Sequence, residues 1–162
     1  EGTTVGGNKS EKRKSDVHLF DIWRLELTDF KKVIIFKVKE IFTTENKNYG
    51  FDLDYSTVNI QFTRYQKDDF YEWHADDDLL NTHIKTHSIR KLSMAMPLNI
   101  GEFEGGEFEI KLSPSENAKT RKIPIEPGNI IVFPSFLEHR VLPITSNTRY
   151  SLVAWISGPP WR

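Results

Sequence analysis

No cysteine occurs in the chain, so a disulfide framework, a thiolate metal site and every finger- or ribbon-type zinc site are excluded. A dominant charge is also missing. Twenty-two Lys and Arg stand against 23 Asp and Glu, for a formal charge of −1. That balance gives no support to general phosphate-backbone binding, although it tolerates a local basic patch. No apolar run approaches the ~18 residues of a membrane span, and no secretory pattern opens the chain. The expectations are therefore no membrane, no nucleic-acid partner, and a cytoplasmic setting that fits the lack of thiols. The start at Glu1 without a methionine leads to the expectation of a trimmed chain or a piece of a longer protein. Composition says nothing of oligomeric state.

What is present reads as one domain, since 162 residues suffice for a sizeable core. Residues 1–15 are polar and charged and are expected to form a flexible lead-in, with Lys12, Arg13 and Lys14 as a solvated run. Residues 16–162 then form the domain. "DVHLFDIW" reads as a strand or extended segment. A helix is predicted over about 28–45, capped by Thr28, with Phe30, Val33, Ile34, Val38, Ile41 and Phe42 as its apolar stripe. Strands are predicted at Val58–Tyr65, Phe70–Asp76, Ile89–Leu98, Gly106–Leu112, Arg121–Ile125, Asn129–Phe133, His139–Pro143 and Arg149–Ser157. Between them "LNIGEFEGGE", "LSPSENAKT", "EPGN" and "ITSNT" carry turn chemistry. One helix before about eight strands points to a mainly β fold, a double-sheet jelly roll with its core over about 58–157. The polar segment 77–88 is long for a hairpin and is expected to act as a lid or substrate loop.

The chemistry concentrates in "FYEWHADD". His74 and Asp76 are spaced to share one strand face. His139, after the apolar "NIIVF", would complete a two-histidine, one-carboxylate set, which suits non-haem Fe(II) and leaves positions open. Arg149 opens a largely apolar strand in "NTRYSLVAW", so if it points inward it needs an anion, and a planar guanidinium binds a carboxylate through two hydrogen bonds. The other histidines read blandly. His83 and His87 lie in a polar stretch without a third ligand, and His18 has no evident partner. Asp76, Asp77 and Asp78 lack the spacing and glycine of a calcium loop.

The blocks "RYQKDDFYEWHADD", "RKLSMAMPLN", "FEGGEFEI" and "GNIIVFPSFLEHRVLPITSNTRYSLVAW" follow in order from about Val58 to the C-terminus. Together they resemble the prolyl 4-hydroxylase-like branch of the Fe(II)/2-oxoglutarate dioxygenases, most of all the PKHD-type hydroxylases. "KRKSDVHLF" is similar to the start of that type. The resemblance implies a double-stranded β-helix (cupin-like jelly roll) and Fe(II) held by His74, Asp76 and His139. It also implies 2-oxoglutarate anchored by Arg149, O2 as second co-substrate and ascorbate as reductant. Tyr65 and Trp155 match positions lining the co-substrate pocket. Arg90, with Trp73, matches the mouth where substrate would be touched.

The sequence departs from the family at two points. Pro97 stands where several animal members place a tyrosine on the far carboxylate, which leaves Ser93 as a candidate for that contact. The glycine usual between the tyrosine and the metal histidine is missing from "YQKDDFYEWH". Gly105 and Gly106 read as a structural turn or bulge.

The implied reaction is hydroxylation of an aliphatic C–H with release of succinate and CO2, with a peptidyl proline as the leading target. A small-molecule substrate and a non-catalytic jelly-roll binding module stay open as alternatives. A nucleobase demethylase is disfavoured, because Trp155 occupies the place of that branch's second arginine.

Overall fold

The computed structural model describes residues 13–20, 29–77, 88–113, 115 and 118–161. In chain order the elements are β1 (Arg13–Lys14), β2 (Asp16–Phe20), α1 (Asp29–Tyr49), β3 (Asp54–Tyr65), β4 (Phe70–His74), β5 (Ile89–Pro97), β6 (Glu104–Gly105), β7 (Phe108–Lys111), β8 (Thr120–Ile123), β9 (Ile131–Pro134), β10 (His139–Val141), β11 (Ile144–Ser146) and β12 (Arg149–Gly158). They assemble into a five-stranded sheet of order β2-β3-β12-β5-β9, a second of order β1-β4-β10-β7-β8, and the pair β11-β6. This is the helix-flanked jelly roll expected from the alternating texture. Among the described residues no helix is long and apolar enough to cross a membrane.

The first sheet is apolar on its helix face and mixed on the face toward the second sheet, where Gln61, Thr63, Arg149 and Ser151 are buried among apolar residues. Val58, Ile60, Leu92, Met94, Ala154 and Ile156 form one buried cluster with Val38 and Phe42 of α1. On the opposite face Tyr65 and Ala95 meet Phe108, Ile110, Phe133, Val141 and Ile144, filling part of the space between the sheets. A strand alternates its side chains, so one strand serves both layers. The middle strand β12 pairs β3 from Arg149↔Tyr65 onward and β5 from Ser151↔Pro97 onward.

Helix α1 departs from the sequence reading in its stripe and its end. Ile34, Ile35 and Ile41 join Val38 and Phe42 against the sheet, whereas Phe30 is 72% and Val33 56% exposed. Val33 lies well round the helix from Val38, and Phe30 sits in the first turn. The helix runs past the expected stop near residue 45 to Tyr49. There Gly50, at φ +68°, donates its N–H to the Asn46 carbonyl at 2.7 Å and closes the helix in the left-handed region.

Three further readings are corrected. Arg13 and Lys14 do not belong to a loose lead-in: they form β1, pairing Tyr71 and Phe70 of β4, and Lys14 reaches Asp69 at 3.2 Å. The segments read as turns at "ITSNT" and "EFEGGE" contain β11 and β6, which are too short to announce themselves by alternation. Strand β4 stops at His74 rather than Asp76. Most of the 77–88 loop, including His83 and His87, lies outside the described residues, as do residues 1–12, the proposed cap Thr28 and Asp78.

Candidate active site

Between the sheets lies a cavity of about 210 Å³ lined by Tyr65, His74, Asp76, Arg90, His139, Arg149 and Trp155, among others. The register of β4 and β10 sets the end that holds the two histidines. His74 pairs with His139 and Tyr71 with Val141, so between these pairs β4 advances one residue more than β10. This bulge re-aims the strand. Tyr71 and His74 consequently line the same cavity, with their rings stacked at 3.5 Å between centroids.

Each imidazole is oriented by a backbone carbonyl. His74 Nδ1 lies 2.8 Å from the Glu72 carbonyl and His139 Nδ1 lies 3.0 Å from that of Leu137. A carbonyl only accepts, so each Nδ1 carries the proton and leaves Nε2 with a lone pair. The two Nε2 atoms turn to Asp76, at 3.7 Å from Oδ1 for His74 and 3.5 Å from Oδ2 for His139. Ligand atoms of all three residues lie within 4.8 Å of one another. Asp76 stands in a bend past the strand end, so strand alternation is not what aligns it with His74. Its N–H instead donates to the Ser135 carbonyl at 2.8 Å.

The protonation states suit ligation. Burial, aided by the neighbouring His139, pushes His74 down to about 4, so the imidazole is neutral at ordinary pH. Burial alone would raise Asp76, but His139, His74 and the Ser93 hydroxyl outweigh it, and the carboxyl sits below its usual range. The indole N–H of Trp155 adds to that lowering without completing a hydrogen bond. Two imidazoles and one carboxylate, with no thiolate available, form a donor set that fits ferrous iron.

The far end of the cavity has the opposite character. Arg149 is 2% exposed, its guanidinium carbon 5.4 Å from the Tyr65 ring centroid, and Nε has no hydrogen-bond partner among the described residues. Among the described residues no carboxylate lies within ion-pair range of it. Burial lowers the pKa of this arginine, the signature of a desolvated cation. Gly106 makes room for it. At φ +66° a Cβ there would meet Ile144 Cδ1 and come within 3.0 Å of Arg149 Cδ. Ser151, on the same face of β12, also points an unpartnered buried hydroxyl at the cavity. It was missed from the sequence, though its place two positions after Arg149 was a usable signal.

Arg90 lines the cavity as expected, 4.3 Å over the Trp155 ring, with Nη1 donating to the Asp76 carbonyl at 3.4 Å. Trp73 does not line it. The bulge leaves Trp73 among Arg140, at 4.7 Å, and Lys111, at 5.0 Å, beside the Lys111–Glu138 and Arg140–Glu109 ion pairs. Ser93 is not a lining residue either: its hydroxyl donates to Asp76 Oδ2 at 2.7 Å, so it is committed to the cluster rather than to the Arg149 end. Arg13, read as solvated, lines the cavity with its guanidinium 4.5 Å over the Tyr71 ring. No periodicity could have disclosed so short a strand.

Comparison with known proteins agrees with this picture. The family model described as 2OG-Fe(II) oxygenase superfamily matches residues 60–157. A PKHD-type hydroxylase of Idiomarina loihiensis is 33% identical over 101 residues, covering 62% of this chain and 43% of its own length. Another from Prochlorococcus marinus is 28% identical over 162 residues, covering 98% of this chain and 66% of its own length. The chain thus spans less than two thirds of either relative. A Pseudomonas putida prolyl-4-hydroxylase structure shares the fold, with a TM-score of 0.71 at 19% identity, over 94% of this chain and 76% of that one.

Proposed function

Because the chain belongs to the 2OG-Fe(II) oxygenase superfamily, we propose that it is an Fe(II)- and 2-oxoglutarate-dependent dioxygenase that hydroxylates an aliphatic C–H bond, with a peptidyl proline as the leading target. One O2, one 2-oxoglutarate and one C–H bond are consumed. Succinate, CO2 and an alcohol are formed, with one oxygen atom of O2 in the succinate and the other in the alcohol. A single observation carries the reading: the His74, Asp76 and His139 cluster shares one cavity with a buried arginine that no carboxylate among the described residues neutralises.

In this reading His74, Asp76 and His139 hold the iron, which when bound supplies the O2 chemistry that side chains lack. Arg149 receives the distal carboxylate of 2-oxoglutarate through charge-assisted hydrogen bonds. Ser151 adds its hydroxyl there, and it is the register partner of Pro97, the position that lacks a phenol. Tyr65 walls that end. Trp155 and Tyr71 exclude water around the cluster, which strengthens every charge interaction inside. Arg90 and Arg13 line the same space and are the substrate contacts of this proposal.

The peptidyl-proline target is supported by the PKHD-type and prolyl-4-hydroxylase relatives. A small acidic molecule is the second reading, favoured by two arginines beyond Arg149 on the cavity wall.

The test is succinate release from 2-oxoglutarate with Fe(II), with ascorbate added as reductant, in the presence of proline-containing peptides or small carboxylic acids. It is paired with anaerobic titration of 2-oxoglutarate into the Fe(II)-loaded protein. Tight, metal-dependent binding supports the reading. No binding at all would favour a non-catalytic module.

A further inference from the structure

We infer that Ser135 and Ser93 form a hydroxyl relay that positions Asp76 toward the metal, a role resting on the iron-binding reading above. Asp76 needs such support because it stands beyond the end of β4, where no ladder of backbone hydrogen bonds holds it. Ser135 supplies it twice. Its carbonyl accepts the N–H groups of both Asp76, at 2.8 Å, and Asp77, at 3.1 Å, while its own N–H donates to the Lys91 carbonyl at 3.0 Å. Its hydroxyl lies 2.9 Å from that of Ser93, which donates to Asp76 Oδ2 at 2.7 Å.

Proton counting sets the direction. An ionised carboxylate only accepts, so Ser93 spends its one proton on Asp76, and Ser135 must donate to Ser93. Both serines are 0% exposed, so water does not compete, and a chain of this kind polarises along its length. Oδ2 is engaged by Ser93 and also faces Nε2 of His139, while Oδ1 faces Nε2 of His74 and is the oxygen left free of Ser93 to serve as the ligand. Ser135 also precedes His139 in the turn between β9 and β10, so one residue ties two ligand-bearing segments together.

The experiment titrates Co(II) alone into the full chain and reads both the dissociation constant and the visible spectrum of the bound ion. Ser93→Ala should weaken Co(II) binding roughly 10–100-fold, the usual effect of losing a group that orients a ligand. Ser135→Ala should weaken it about 2–10-fold, the scale of one buried hydrogen bond. Both variants should shift the spectrum, and Ser135→Cys, a weaker donor, should fall between the wild type and Ser135→Ala.

Because Ser135 acts through Ser93, adding Ser135→Ala to Ser93→Ala should cost nothing more. Metal-free thermal midpoints show whether each variant folds, and Ser135→Cys decides the matter if Ser135→Ala does not. Losses that multiply, or Ser135 variants with wild-type affinity and spectrum, would overturn the relay alone. A wild-type chain that binds no Co(II) would sink the iron reading and the relay with it.

Discussion

The two ends of the cavity are built on opposite plans. At the cluster end the three clustered side chains are each held from within the fold: both Nδ1 atoms meet carbonyls, and Asp76 meets Ser93. At the arginine end Arg149 Nε and Ser151 Oγ are buried without hydrogen-bond partners among the described residues. Buried polar groups in native proteins are nearly always satisfied, and each exception calls for an explanation. The difference teaches which parts the fold arranges in advance and which it leaves for a ligand. Orientation of the candidate metal donors is internal to the fold, whereas among the described residues none neutralises Arg149.

The severest way to break this contrast is His74→Ala. Two remaining ligands do not position a metal, so iron binding and succinate release should both fall to background. Retained activity would remove His74 from the site.

Next is Arg149→Ala, expected to weaken 2-oxoglutarate binding by about 2–5 kcal/mol, the range for truncating one partner of a buried hydrogen-bonded charge pair. Co(II) affinity should stay unchanged, which separates the two ends. The companion Arg149→Met should raise the thermal midpoint of the ligand-free protein, since it removes a desolvated and unneutralised cation. A lowered midpoint would mean that the arginine is already satisfied within the fold.

Ser151→Ala should cost about 0.5–1.5 kcal/mol of 2-oxoglutarate affinity, as for one neutral hydrogen bond. Calorimetric titration of the metal-loaded protein reads this directly. The smallest effect belongs to Trp73→Leu. That side chain stacks with Arg140 and Lys111 outside the cavity, so the Michaelis constants for substrate and 2-oxoglutarate should hardly move. A several-fold rise in either would return Trp73 to the site.

The same contrast marks what was legible in the sequence. Periodic features could be read: all eight anticipated strands occur, as does the packing of Val38 and Phe42 on a sheet, because alternation and 3.6-residue spacing are written along the chain. His74, Asp76, His139 and Arg149 stand out by residue type, and the fold gathers them around one cavity.

What escaped depends on single-residue geometry. The bulge between Tyr71 and His74 decides that Tyr71 lines the cavity and Trp73 does not, and an extra residue in a strand leaves no compositional trace. Ser135 and Ser93 are small, common residues whose pairing exists only once β9 lies beside β5. Arg13 enters the site through a strand too short to show a period. Gly105 and Gly106 were read correctly as structural, but the need for Gly106 to clear Arg149 emerges only in three dimensions.

The most direct test of the central claim is a crystal of the chain loaded with Mn(II) and 2-oxoglutarate, with the anomalous signal locating the metal. The account predicts one peak bonded to Nε2 of His74, Nε2 of His139 and Oδ1 of Asp76, with the distal carboxylate of 2-oxoglutarate against Arg149 and Ser151. A metal bound elsewhere, or a co-substrate that leaves Arg149 untouched, would contradict it.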